Sequence, residues 1–194
     1  MKGKFIVLEG IDGSGTTTQI ELLAEELENR GMKVYTTFEP TDSPIGELLN
    51  QILRGETDVE WDEKTLMLLY SADRNLHMKY MQKLLEEGYW VICDRYKYSS
   101  YAYQGDALEW DDFKLMEDIN ESFPKPDHAF LLDTPVDVCL ERINSRGESL
   151  EMYERREKLS SIREKYIRYK GTMKVIDGNR NRYEIREELL SYIL

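Results

Sequence analysis

Two cysteines, two histidines and five prolines are all that 194 residues hold of those types, and each scarcity closes off a class of protein. Cys93 and Cys139 stand in apolar segments without the spacing of a disulfide framework, a zinc site or a redox motif, and read as small core residues in a reducing cytosol. His77 and His128 have no partners at ligand spacing and read as structural. No apolar run approaches the roughly 20 residues that a membrane-spanning helix needs, and no signal-peptide pattern opens the chain. The expectation is a cytoplasmic protein without a membrane partner. Positive charge is scarce as well: 26 Lys and Arg against 38 Asp and Glu leave a net charge of −12. A general nucleic-acid binder draws its affinity from phosphate neutralisation, so this balance argues against nucleic acid. A local group of arginines can still hold a nucleotide.

What the chain does have is the composition of one ordinary globular domain, 41% hydrophobic and 33% charged. Five segments read as strands: Lys4–Glu9, Lys33–Phe38, Trp90–Asp94, His128–Asp133 and Met173–Asp177. Helical patterns separate them. Ile20, Leu23, Ala24 and Leu27 recur at helical spacing before Gly31, and Val136, Cys139, Leu140 and Ile143 repeat it behind Thr134-Pro135, a cap and first-turn pair. One long helix runs from about Trp61 to Glu87, and the last carries Ile185, Leu189 and Ile193. Apolar strands alternating with helices predict a parallel sheet covered on both faces, with ligands at the carboxyl ends of the strands.

Polar signatures follow the strands accordingly. Behind the first runs Gly10-Ile11-Asp12-Gly13-Ser14-Gly15-Thr16-Thr17-Thr18, the phosphate-binding P-loop spacing G-x-x-x-x-G-x-[ST], whose backbone amides can cradle an anion ahead of a helix dipole. Thr17 is placed for a magnesium ion. The position that normally holds a lysine on the outer phosphates is Thr16, so nucleotide binding is a firmer expectation than fast catalysis. Asp94 and Arg95 end the third strand; the carboxylate can hold hydrated magnesium and the guanidinium can fork onto a phosphate, or the two can form a structural ion pair. Tyr70 and Arg74 share one helix face, as a base-stacking pair or as a core tyrosine beside a surface arginine. Arg142, Arg146, Arg155 and Arg156 cluster around Asn144-Ser145-Arg146-Gly147. They can close over a triphosphate or simply pair with neighbouring glutamates.

Taken together, Glu9-Gly10-Ile11-Asp12-Gly13-Ser14-Gly15, Glu39-Pro40-Thr41, Tyr70-Ser71-Ala72-Asp73-Arg74, and Asp94-Arg95-Tyr96 followed by Ser99, Ser100 and Ala102-Tyr103-Gln104-Gly105 resemble the thymidylate kinase family. The resemblance runs nearly end to end with the motifs in order. It implies a P-loop NTPase-type three-layer α/β/α fold with a five-stranded parallel sheet, helices on both faces and a helical lid. That is a single nucleoside-monophosphate-kinase-like domain over 1–194 with the lid at about 142–156. It implies transfer of the γ-phosphoryl of ATP to dTMP with Mg²⁺, and a homodimer. By position, Tyr70 would stack on thymine, Arg74 would meet its O4 and Ser100 its ring nitrogen edge, within a pocket that includes Glu39, Pro40, Ser99 and Gln104. Tyr103 would lie against the sugar C2′. Asp12 would meet the 3′-hydroxyl or the magnesium shell, and Arg95 the acceptor phosphate. Asn179 and Arg180 would flank adenine, with Arg142 a second candidate.

Three departures from the family pattern stand out: Thr16 for the P-loop lysine, Phe38 where many relatives place arginine, and Met152 in the lid-arginine slot. Each removes a cation near the transferring phosphates. Arg146, Arg155, Arg156 or Lys97 can compensate. Two rival readings follow: a kinase of another nucleoside or nucleoside monophosphate on the same fold, and a nucleotide-binding regulatory protein with little turnover.

Overall fold

The computed structural model describes residues 3–145 and 152–194, with side chains in the second stretch from Arg156 onward. Strand β1 (Phe5–Glu9) is central in a five-stranded sheet of order β2-β3-β1-β4-β5, where β2 is Val34–Phe38, β3 Trp90–Asp94, β4 His128–Asp133 and β5 Lys174–Asp177. Every pairing is parallel. Alternate side chains of β1 feed two cores, which is why its sequence shows no polar alternation. Ile6 and Leu8 pack with Leu23 and Leu27 of α1 (Thr16–Asn29) and Leu189 and Ile193 of α8 (Arg182–Ile193). Phe5 and Val7 pack on the opposite face with Met78 and Met81 of α3 (Glu63–Glu86). A third core joins Leu131 to Cys139 and Ile143 of α6 (Val136–Asn144) and to Leu159, Ile162 and Tyr166 of α7 (Met152–Arg168).

The edge strands depart from the expectation of apolar runs. Thr36 and Phe38 of β2 and Lys174 and Val175 of β5 are exposed, because an edge strand has a neighbour on one side only. Four helices join those the periodicity predicts: α2 (Pro44–Leu53), α4 (Lys97–Tyr103), α5 (Trp110–Ser122) and α7. The first has a plain chemical start. Ser43 Oγ accepts from the Ile45 and Gly46 amides at 3.2 and 3.1 Å, with Pro44 in the first turn. Asp73 of α3 accepts from the Thr41 amide at 2.8 Å and the Ser43 hydroxyl at 2.7 Å, tying the turn before α2 to the long helix.

Thr134 does not cap α6 as its sequence position suggests. The N-cap is Pro135, and the buried Thr134 hydroxyl instead donates to the Ser14 carbonyl at 3.0 Å, satisfying an acceptor in the turn after β1. Register aligns the carboxyl ends of the strands: Leu8 and Phe38 both lie opposite Asp94, and Asp133 lies opposite Asp177. All the polar strand-end signatures therefore emerge along one edge of the sheet.

Candidate active site

Between β1 and α1 the chain turns through Gly10–Gly15. Gly13 and Gly15 have φ of 80° and 103°, and a Cβ on Gly13 would lie 2.6 Å from the Cys139 carbonyl oxygen. At Gly10 it would lie 2.4 Å from Ser14 Oγ. Only glycine fits such a turn. Gly15 caps α1 without a side-chain hydrogen bond, and no acidic residue stands in the first helical turn. The first-turn amides and the helix dipole are therefore open to an anion. Ser14 Oγ is buried there without a partner, Ile11 is buried behind the turn, and Thr18 is half-buried.

Thr16 and Thr17 both donate to Asp94 Oδ2, at 3.2 and 3.1 Å. The residue in the lysine position thus faces the strand-end carboxylate. Burial raises the Asp94 carboxyl above the ordinary carboxylate range, opposed by the Arg95 charge and the two hydroxyls. Thr17 and Asp94 form an oxygen-only donor set, suited to a hard cation. The structural ion pair between Asp94 and Arg95 is not the arrangement found. Arg95, a non-glycine residue at φ 68°, pairs with Asp12 at 2.6 Å instead.

Arg142 spans two loops. Its Nη1 donates to the Gly13 and Ser14 carbonyls at 3.3 and 2.9 Å, and its Nη2 to the Gly178 carbonyl at 3.2 Å. This clamp fixes the turn carrying Asn179 and Arg180 beside the glycine loop. The Asn179 amide donates to Asp177 Oδ1 at 2.9 Å, and Arg180 pairs with Asp177 and Glu188. Arg156 is exposed and paired with Asp137. Arg146 and the side chains of Met152 and Arg155 lie outside the described residues. Lys97 is not a substitute for the missing lysine: its ammonium is buried and donates to the Asn120 carbonyl at 3.1 Å.

On the same edge lies a cavity of about 790 Å³. Asp12, Glu39, Pro40, Tyr70 and Arg74 line it, with Arg95, Ser99, Ser100, Tyr103 and Gln104. Arg74 is 2% exposed, not a surface residue. Its Nε donates to Glu39 Oε2 at 2.8 Å, Nη1 to Ser100 Oγ at 3.2 Å and Asn120 Oδ1 at 2.9 Å, and Nη2 to the Tyr96 carbonyl at 3.2 Å. Of the five guanidinium N–H groups, one on Nη2 remains for an outside acceptor. The Gln104 amide nitrogen and the Tyr103 hydroxyl are buried without partners. Burial pushes the Tyr103 phenol up to about 12 and raises that of Tyr70.

Several participants are missed by motif reading. Lys158, Leu159 and Ile162 of α7 and Leu53 of α2 also line the cavity. Glu9 lies wholly buried behind it, accepting from the Tyr96 amide at 2.8 Å, Ser99 Oγ at 2.6 Å and the Tyr166 hydroxyl at 2.9 Å. Burial pushes its carboxyl up to about 7 against those hydrogen bonds and the Arg95 charge. His77 bridges Glu39 at 3.1 Å and Thr37 at 2.7 Å. It approaches Glu39 and Cys93 within 4.8 Å, but Glu39 already binds the Arg74 guanidinium, which opposes a cation there.

A glycine turn ending in an uncapped helix N-terminus, beside a cavity lined by two guanidinium groups and several polar side chains, defines a P-loop α/β nucleotide kinase. The family follows from comparison with known proteins. The family model for thymidylate kinase matches residues 8–189. A probable thymidylate kinase of Pyrococcus horikoshii is 44% identical over 87% of this chain and 83% of its own. Those of Pyrococcus abyssi and Thermococcus kodakarensis are 38% identical over 100% and 97%, and 40% identical over 97% and 96%, of this chain and their own. The chain belongs to the thymidylate kinase family.

Proposed function

We propose that this chain transfers the γ-phosphoryl group of ATP to dTMP, giving dTDP and ADP, with the acceptor held in the cavity and the donor on the glycine turn. The observation that carries the reading is the Arg74 guanidinium. Glu39, Ser100, Asn120 and Tyr96 take four of its five N–H groups, and the one left over, on a guanidinium that lines the cavity, is the complement of a single carbonyl oxygen such as thymine O4. An amino group at that position, as on cytosine, would set donor against donor. Tyr70 stacks on the base, Ser100 and Gln104 address its nitrogen edge, and Tyr103 crowds the sugar against a 2′-hydroxyl. Glu39 and Pro40 wall the base end and Ser99 the phosphate end. Asp12 and Arg95, which also line the cavity, take the sugar and the acceptor phosphate.

Gly10–Thr18 receive the donor phosphates, with Arg142, Asn179 and Arg180 toward adenine. Thr17 and Asp94 are the residues that would hold Mg²⁺, an assignment supported by their oxygen-only chemistry beside a free helix N-terminus. Held there, such a cation would supply neutralisation of negative charge on the donor phosphates. Everything else is positioning, because the acceptor oxygen is already anionic and no protein nucleophile is required. The arginines at 146, 155 and 156 complete the charge as parts of a lid at about 142–156 of a single domain. The working form is a cytoplasmic homodimer.

A coupled assay with ATP, Mg²⁺ and each of dTMP, dUMP, dCMP and UMP tests the reading. Turnover is expected with dTMP and not with dCMP or UMP. Turnover favouring dCMP or UMP over dTMP would assign the cavity to another base. No turnover despite measurable dTMP binding would replace the kinase by a nucleotide-binding protein.

A further inference from the structure

Behind Arg95 in the cavity wall sits a residue that no motif contains. Tyr166 sits on α7, 1% exposed, and its hydroxyl touches three groups. It receives Arg95 Nη1 at 3.3 Å, donates to Glu9 Oε2 at 2.9 Å, and lies 2.8 Å from Ser99 Oγ, itself bonded to the same Glu9 oxygen. Its ring meets that of Tyr103 edge-on, with centroids 6.2 Å apart. The Arg95 guanidinium lies in turn 5.0 Å over the Tyr103 ring.

The chemistry of these partners separates two kinds of contact on Arg95. Asp12 is an exposed carboxylate, 56% accessible, and its charge competes with any anion brought to the guanidinium. Tyr166 is neutral, and burial raises its phenol so that it stays protonated. A neutral acceptor orients a guanidinium without cancelling its charge. Glu9, a buried carboxylate, shares the Tyr166 hydroxyl with Arg95. Arg95 also leaves the backbone in the left-handed region, where its side chain starts from an uncommon direction and needs an external guide.

We propose that Tyr166 is a positioning residue for the acceptor phosphate: its hydroxyl, braced by Glu9 and Ser99, holds Arg95 oriented toward the cavity without adding a charge that competes with the phosphate. This rests on Arg95 receiving the acceptor phosphate, as proposed above.

The test compares dTMP with thymidine, which lacks the phosphate. Calorimetric Kd values are measured for both ligands on the wild type, Tyr166→Phe and Arg95→Ala. Tyr166→Phe is expected to weaken dTMP about fivefold, the worth of one hydrogen bond, while leaving thymidine binding and the KM for ATP unchanged. Equal weakening of both ligands, or no change in their ratio, overturns the proposal by reducing Tyr166 to a packing residue. Should Tyr166→Phe fail to fold, Glu9→Gln replaces the carboxylate that braces the Tyr166 hydroxyl without changing the cavity lining and is expected to lower the same ratio; an unchanged ratio overturns the proposal equally. Arg95→Ala separates the layers. If it leaves the ratio intact, the phosphate role of Arg95 fails. If it collapses the ratio and Tyr166→Phe does not, only the positioning role fails.

Discussion

Thr16 occupies the position where P-loops carry an ammonium group, and its hydroxyl is engaged by Asp94, which Thr17 also covers. Replacing it therefore leaves the carboxylate with a partner. Thr16→Lys is expected to raise kcat about tenfold or more, since one well-placed cation contributes several kcal/mol to a phosphoryl-transfer transition state. Single-turnover kinetics at saturating ATP and dTMP checks this, and an unchanged or lower rate refutes it. At this scale the sequence was legible where chemistry is local. The glycine turn, the Thr17 hydroxyl and Asp94 could all be read from spacing. Arg74 could not be fixed that way, because its burial depends on Glu39, 35 residues away, and on Asn120, 46 residues away. Helix periodicity alone favoured a surface arginine there.

Among the elements, the expected strands lay within a residue of those found, because three central strands buried on both faces leave unbroken apolar runs. The helices were less legible. Ser43-Pro44 is a plain helix start, but α2 carries its signal in a cap rather than in a long apolar stripe. Helix α4 has only seven residues, too few for periodicity to speak. Tyr166 escaped notice because its meaning depends on α7 meeting the end of β1, a contact 157 residues apart in sequence. Arg142 makes the element-scale prediction. Because its guanidinium joins the glycine turn to the loop after β5 through three carbonyls, Arg142→Ala should loosen the donor side alone. The expected result is a KM for ATP raised roughly five- to tenfold, the loss of one to two hydrogen bonds, with the Kd for dTMP unchanged. Steady-state kinetics and calorimetry together would expose an error if dTMP binding fell in parallel.

Across the whole molecule, one buried acid links the site to global stability. Glu9 is fully buried, with its carboxyl moved from 4.5 to about 7. The native state therefore binds a proton more tightly than the unfolded chain does, and stability falls as pH rises through that window. The contribution is about 3 kcal/mol over the full shift. Glu9→Gln keeps the shape of the protonated acid, and the Ser99 and Tyr166 hydroxyls can turn to accept from its amide. Urea unfolding at pH 4.5 and pH 8 should show the wild type losing this increment relative to Glu9→Gln; parallel pH profiles would disprove it. The distribution of amines has a practical consequence. The glycine turn, having Thr16, offers no amine to aldehyde or amine-acylating analogues of ATP. Lys158 stands exposed on the cavity wall, the one lysine among the described residues lining it. Amine-directed reagents built on thymidine, rather than on adenosine, are the ones that should leave a covalent mark on this enzyme, at that side chain.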